Sequence, residues 1–547
     1  MPSLNPSFFR DLLPVWTWAL AAWVCIAGGT CAAALLFPRL ARRVAGICRG
    51  TLVYLSRHAL SMLAVPVIVF GLAVLVWAGG FPLPHIHDEF SYLLAADTFA
   101  HGRLANPPHP RWPSLETFHV NQQPVYVSMY LPGWGLVLAA GQVLLGHPWM
   151  AVWGSALGMV LAAYWAALGW LPRAWALAAG LSSAGLVMGG YWLSSYWGGT
   201  LAATGGALLI GGWPRIAQGR WQGSLAFAVG AVVLLYTRPW EGAVLVGALG
   251  LGLLRRRVPV WAPMMLFVGL AAVWLAYYNW RTTANPLEPA YVRNMATYHH
   301  RRIFVFGADR EPPPAYRHEV MRQLYSNGYN LQAFSAQALT RQMIPSFTFF
   351  GGHLLLFVIL AGPWLLFRDR RIRPVTWSTA AVCGVAMLSL WTRPHYLAPA
   401  MAGIMIVSMQ ALRFAGTLRW RRVRVGRLLA FTALAAWLVL RAGIGVARLG
   451  EDASPKPWVR QRQEIARSLE AGGGRHLILV RYDPSRHNPN DEWVFNKSDL
   501  GTGAPVIWAR ALDDLADGQL RRYYPDRQAW LVEVDAAGGP RLHKVGE

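Results

Sequence analysis

A long succession of apolar segments, each near the length that crosses a bilayer, sets the limits on what this chain can fold into. A helical span needs roughly 20 apolar residues. Candidates lie at 13–37, 59–80, 126–146, 149–171, 174–191, 197–213, 223–238, 240–254, 260–280, 347–367, 376–392, 395–412 and 427–447. Only 14% of the 547 residues are charged and 55% are hydrophobic, against roughly 25% charged in soluble domains. The expected fold is therefore a polytopic α-helical membrane protein with about 12–14 transmembrane helices. The first apolar run, Trp16 to Phe37, exceeds the roughly 7–15 residues of a signal-peptide core and reads as a retained span.

The formal charge is +24, yet the pattern argues against a nucleic-acid partner. Arginines cluster between apolar runs, at 39–57, 255–257, 368–373 and 413–427. Clusters of that kind suit topology signals and contact with anionic membrane lipids. The positive-inside rule makes them cytoplasmic and puts 81–125, 281–346 and 448–547 on the outer face. Twelve segments between 59 and 447 cannot carry the chain from the inside to the outside, which takes an odd number. One segment between 146 and 213 must be re-entrant, split or merged, and Tyr191 to Gly199, rich in Trp, Tyr, Ser and Gly, is the expected irregular place.

Three regions follow. Residues 1–58 form an N-terminal extra span and a basic cytoplasmic loop, and 59–447 form the main membrane domain. Residues 448–547 form an outer domain, polar beyond Glu451. There, strand-like runs at His476–Tyr482, Pro505–Ala509 and Ala529–Val534 alternate with helix-like stretches at Trp458–Glu470 and Leu512–Tyr523, which predicts a small α/β domain. Cys25, Cys31 and Cys383 fall in apolar runs and Cys48 in the basic loop, so no disulfide framework is implied.

The first outer loop is dense in polar groups: Asp88, Glu89, Asp97, Glu116 and the histidines His85, His87, His101, His109 and His119. Tyr92, Leu93, Ala96 and Phe99 recur at helical spacing after the acidic pair, placing Asp88 and Glu89 in the first turn of an interfacial helix. A carboxylate there is favoured by the helix dipole, and an Asp can also merely cap the helix. The membrane-edge setting points instead to function. His85-x-His87 beside two carboxylates has the donor types of a zinc or manganese site, though a polar loop has the same composition. Later, Thr237-Arg238-Pro239-Trp240-Glu241 and Trp391-Thr392-Arg393-Pro394-His395-Tyr396 interrupt apolar runs at their outer ends. Arginine's planar fork matches phosphate oxygens; the alternative is that Arg238 and Arg393 snorkel, or pair with Glu241. The loop 281–346 is long enough to cover a cavity. The run His487 to Trp493 suits either an acceptor glycan or a solvated turn.

Taken in order, these motifs resemble the glycosyltransferase C superfamily, particularly its bacterial branches related to protein O-mannosyltransferases and aminoarabinose transferases. The matching features are Asp88-Glu89 after an apolar helix, Tyr130-Leu131-Pro132-Gly133 opening the next span, Arg238-Pro239, and His395-Tyr396-Leu397-Ala398-Pro399, across roughly 59–412. The resemblance implies transfer of a sugar from a polyprenyl-phosphate carrier to a lipid, glycan or protein acceptor on the outer face of a bacterial inner membrane. It makes Asp88 the general base of an inverting displacement, with Glu89 positioning the acceptor or supporting Asp88. Arg238, Glu241, Arg393, His395 and Tyr396 are the candidates for binding substrate and phosphate. The histidines around Asp88 and the C-terminal domain depart from the pattern, so the acceptor stays open, as does a divalent metal. A transporter of lipid-linked sugars without chemistry is the competing class, though such proteins place their charges near the midplane in paired repeats.

Overall fold

The structure, a computed structural model, describes residues 23–57, 81–188, 191–253, 261–300, 304–328, 354–390, 393–420, 423–450, 456–501, 503–535 and 539–545, with a few isolated positions between them. The expected span 59–80 lies largely outside the described residues, as do the start of 13–37 and much of 329–353. Among the described residues, four helices are long and apolar enough to cross a membrane: Trp149–Trp170, Trp261–Thr283, Pro394–Ala415 and Val425–Gly445. Pro132–Leu145, Trp221–Leu235, Pro239–Leu251 and Leu354–Leu365 are shorter apolar helices. Arg173–Met188 and Gly199–Ile216 complete the same bundle. They are rich in Gly, Ala and Ser, which lower hydropathy but let backbones approach closely. Gly206 shows the need: a Cβ there would stand 1.9 Å from the Pro399 carbonyl oxygen. The helix Gly199–Ile216 can therefore press directly on the 3-10 turn Pro394–Ala400.

Two expectations change. Residues 39–57 are not a loop but the helix Pro38–Arg57, bent 117° from Trp23–Leu36, and Cys48 lies within it. Its apolar Leu40, Val44, Ile47 and Tyr54 are exposed beside the arginines, the pattern of a helix lying in a membrane interface. The span expected from 126 begins instead at Pro132. Residues Val127–Ser128 form a strand, β2, paired with β1 at Val120–Asn121, because Pro132 supplies a natural first helical position and leaves the residues before it extended. The segment at 191–198 is a run of turns and bends between helices, as its composition suggested.

The C-terminal region follows its hydrophobic pattern. Strands β3 (His476–Arg481), β4 (Val506–Arg510), β5 (Gln528–Glu533) and β6 (Arg541–Lys544) form one sheet in the order β4-β3-β5-β6. β3 runs parallel to β4 and β5, and β6 is antiparallel. The apolar run of β3 marks a strand buried on both faces. Ile478 and Val480 pack with Trp458, Trp493 and Phe90, whereas Leu477 and Leu479 pack with Leu520 and Leu115. Phe90 and Leu115 belong to the first loop, so the sheet shares its core with that loop: Phe90 stacks on Phe495 at 4.3 Å, and Ser498 donates to Asp97 through its backbone N–H at 2.9 Å and its hydroxyl at 2.5 Å.

Candidate active site

The acidic pair opens the helix His87–Ala100, in its first turn, as the spacing predicts. Neither carboxylate caps it: the N-cap is Ile86, and no side chain closes that end. The two neighbours then diverge. Glu89 is fully buried and accepts the backbone N–H groups of Tyr196 at 2.8 Å and His85 at 2.9 Å, with the His85 ring 3.2 Å away. It ties the loop helix to the irregular segment 191–198, which Trp134 also holds by donating its indole N–H to the Tyr196 carbonyl at 2.5 Å. Burial pushes the Glu89 carboxyl up against the pull of His85 and the two N–H groups. Glu89 is an anchor, and His85 is spent on it.

Asp88 keeps a partly exposed side chain. It accepts a short hydrogen bond from the Tyr130 hydroxyl, and His87 Nδ1 stands 3.2 Å from its other oxygen. Burial would raise its carboxyl; contacts from His87 and Tyr130, with His119 nearby, outweigh it and hold the group well below the usual carboxylate range. Burial brings His119 itself down to about 3, so that ring is neutral at neutral pH, and His87 and Tyr130 are the contacts that remain. Asp88 is thus an ionised acceptor on which, among the described residues, no arginine or lysine closes as an ion pair.

The Tyr130-Leu131-Pro132-Gly133 motif links this carboxylate to the basic step downstream. Tyr130 reaches Asp88 and stacks on Tyr92 at 4.2 Å. Gly133 donates its N–H to the Tyr236 carbonyl at 3.0 Å, and a Cβ there would sit 2.8 Å from the same oxygen. That contact seats Tyr236-Thr237-Arg238 beside the loop helix. Arg238 precedes Pro239 at the start of Pro239–Leu251, and its guanidinium lies over the Tyr396 ring at 4.3 Å. Tyr396 and His395 ride on the 3-10 turn that packs on Gly206. The Tyr191 hydroxyl meets His395 Nδ1 at 3.0 Å, and Trp197 packs on the same ring at 4.7 Å.

The two sets read separately from the sequence therefore lie close enough to act on the same side chains. Tyr92, Tyr291, Tyr396 and His395 each lie within electrostatic reach of both Asp88 and Arg238. Glu241, buried in the first turn of its helix, acts on Arg238, Tyr291 and Tyr396. Arg393 adds positive charge near His395 and Tyr191. Tyr291 comes from the loop 281–346, whose helix Ala290–Tyr298 is held by Asn121 at the Ala290 carbonyl, 2.9 Å. Glu116 takes no part: it accepts from Tyr298 at 2.8 Å and faces His318 at 3.2 Å.

Sequence reasoning left the role of Tyr291 open and gave His119 no partner, since nothing local marks residues that meet through the fold. His119 lies beside His87, rings 4.5 Å apart. The run His487 to Trp493 is a half-exposed turn at 488–491 with both ends fixed in the domain. His487 pairs with Asp535 at 3.0 Å, Glu492 is buried against Arg510 and Tyr482, and Trp493 is buried.

Two solved structures share this architecture: ArnT from Cupriavidus metallidurans in the apo state, and the same protein bound to undecaprenyl phosphate. Their TM-scores are 0.50 and 0.52 at 15% identity, and each match covers 86% of this chain and 92% of the other. No family model and no curated protein matches the sequence. The chain shares the fold of these two structures.

Proposed function

We propose that this protein is an integral-membrane inverting glycosyltransferase that moves a sugar from a polyprenyl-phosphate carrier to an acceptor hydroxyl on the outer, periplasmic face of a bacterial inner membrane. The observation that carries the reading is a carboxylate, Asp88, with no Arg or Lys ion pair among the described residues, within electrostatic reach of the same side chains as a tyrosine-stacked arginine. The structural likeness to ArnT bound to undecaprenyl phosphate supports a lipid carrier.

In this reading the carrier phosphate lies towards Arg238 and the acceptor hydroxyl towards Asp88. Asp88 takes the hydroxyl proton as the acceptor oxygen attacks the anomeric carbon. The bond from that carbon to the phosphate oxygen breaks, and its electron pair leaves with the phosphate. Arg238 meets the growing charge, joined by the N–H groups at the start of Pro239–Leu251. The ring of Tyr396 fixes the guanidinium plane. Glu89 acts through position: by tying the loop helix to segment 191–198 it fixes where Asp88 stands.

The test is sugar transfer from a panel of labelled polyprenyl-phosphate sugars by purified protein, wild type beside Asp88→Asn. Turnover by wild type alone is expected. Equal turnover by both would remove Asp88 as base, and carrier transport across vesicles without any glycosidic bond would replace the enzyme with a transporter.

A further inference from the structure

We infer that His87, Asp88 and His119 form a binding site for one divalent transition-metal ion, of the zinc, manganese or cobalt class, beside the proposed base. This rests on the glycosyltransferase reading only for what the ion would do, not for its binding.

The geometry is built by two separate elements. His87 and Asp88 open the loop helix, whereas His119 precedes β1, and one ligand atom from each of the three lies within 4.8 Å of the others. Two imidazoles and a carboxylate in that compass match the donor set of zinc and related ions and leave coordination positions open.

The rings are also left wanting. His87 and His119 are about 95% buried, with 5% and 4% exposed. Nε2 of His87 and Nδ1 of His119 lack hydrogen-bond partners, and Nδ1 of His87 has only the Asp88 carboxylate, 3.2 Å away. A neutral imidazole carries one donor and one acceptor, and leaving either buried and unpaired is costly. A bound cation would take one nitrogen from each ring.

The backbone shows the same purpose. His119 has φ 59°, a left-handed conformation that is uncommon outside glycine. It is held by the Ser91 hydroxyl and the Met129 N–H, which donate to its carbonyl at 2.6 and 3.0 Å, while its own N–H donates to the Tyr325 hydroxyl at 3.2 Å. Three bonds fix a strained residue whose ring then faces His87. His85, the other sequence candidate, is not in the cluster; it faces Glu89. With the acceptor hydroxyl as an oxygen ligand in an open position, the ion would make that proton easier for Asp88 to remove.

The experiment is binding, not turnover. The full chain in detergent or nanodiscs, stripped with chelator, is titrated with Co²⁺ and read by visible absorption and by metal analysis after desalting. Wild type is expected to take up about one equivalent. His119→Ala and His87→Ala should weaken that uptake about a hundredfold, and His543→Ala on β6 should not change it. Uptake that His119→Ala and His87→Ala leave intact, or no uptake by wild type, overturns the site. If those variants do not fold, pulsed spin-echo spectroscopy of Mn²⁺ or Cu²⁺ bound to wild type decides: two imidazole nitrogens support the site, and none refutes it. Transfer that depends on Asp88 without metal uptake would sink this site and leave the enzyme standing. Metal uptake without transfer would do the reverse.

Discussion

The first outer loop and the C-terminal sheet both bury charge, and they treat it in opposite ways. In the sheet region, Glu492 is fully enclosed and meets Arg510 directly, with Tyr482 and the Val494 N–H completing its contacts. Arg510 also donates to the Glu116 carbonyl at 2.7 Å. Each charge there has its opposite in place. In the loop, Asp88 has a phenol and imidazoles as neighbours, and Arg238 lies on an aromatic ring with Glu241 near it but no ion pair closing the two among the described residues. Charge closed on itself holds a fold together; charge held apart at matched positions waits for a substrate that completes it. Three substitutions and one change of pH sharpen that contrast.

The largest effect should come from Asp88→Asn. Removing a general base costs on the order of 10²–10⁴ in rate, while the melting temperature should hardly move, because Asp88 supports no ion pair between elements. Sugar transfer and thermal melting on one preparation decide it. A large fall in melting temperature would make Asp88 a structural residue and erase the contrast. In the sheet the expectation reverses. Arg510→Met leaves Glu492 buried without its cation, and breaking such a pair costs about 3–5 kcal/mol. Hydrogen exchange should then speed up across β3 and β4, with transfer lost only as far as the sheet lets go of the loop. Unchanged exchange in that variant would show that the pair adds little.

Between these lies Arg238→Lys, which keeps the charge but loses the planar fork and its stacking on Tyr396. With cation–π contacts worth about 0.5–2 kcal/mol, transfer efficiency should drop about tenfold, seen as weaker use of the carrier more than slower chemistry. A variant that binds carrier as well as wild type would place the phosphate elsewhere.

How much of this was readable beforehand follows the distance over which each signal acts. Asp88, Glu89 and the helix they open are local, and so are β3, β4 and β5, because a run such as Leu477 to Val480 declares a buried strand without help. Arg238 and His395 stand out because charge at a membrane edge is rare. The meeting of His119 with His87 was not legible: the two are brought together by the β1–β2 turn and the Ser91 hydrogen bond, neither of which has a sequence signature. Tyr130 was visible as a motif but not as a donor to Asp88. The helix Pro38–Arg57 did leave a trace, the 40, 44, 47 spacing of its apolar residues, masked by the density of arginine around it. The edge strand β6 offered less, being short and polar with Arg541 and Lys544 at its ends, as exposed edges tend to be.

The smallest effect concerns how the two regions adhere, and it is set by pH. His109 of the loop is buried against the C-terminal helix Asp514–Tyr523 and the residues that follow it: its Nδ1 accepts the Arg111 N–H at 3.0 Å, and its Nε2 meets the Tyr524 hydroxyl at 2.9 Å. Accepting at Nδ1 requires the neutral ring with its proton on Nε2, pointing at Tyr524. Burial lowers His109 from its ordinary 6.5 to about 4, and the Arg111 charge adds to the fall. A histidine lowered in this way binds its proton more readily once the regions separate. Docking is therefore at full strength above about pH 6.5, and weakens as pH falls from there towards 4. Limited proteolysis at pH 7 and pH 5 should find the junction near Leu500 and Arg111 more open at pH 5. His109→Asn, which keeps a side-chain acceptor and loses the proton, should flatten that difference. If the junction opens equally in the variant, the cause lies with other groups there. Asp97 is not one of them: the Ser498 hydrogen bonds outweigh burial and hold its carboxyl below its ordinary 3.8, so it stays ionised at pH 5 and pH 7 and gives up stability only in stronger acid.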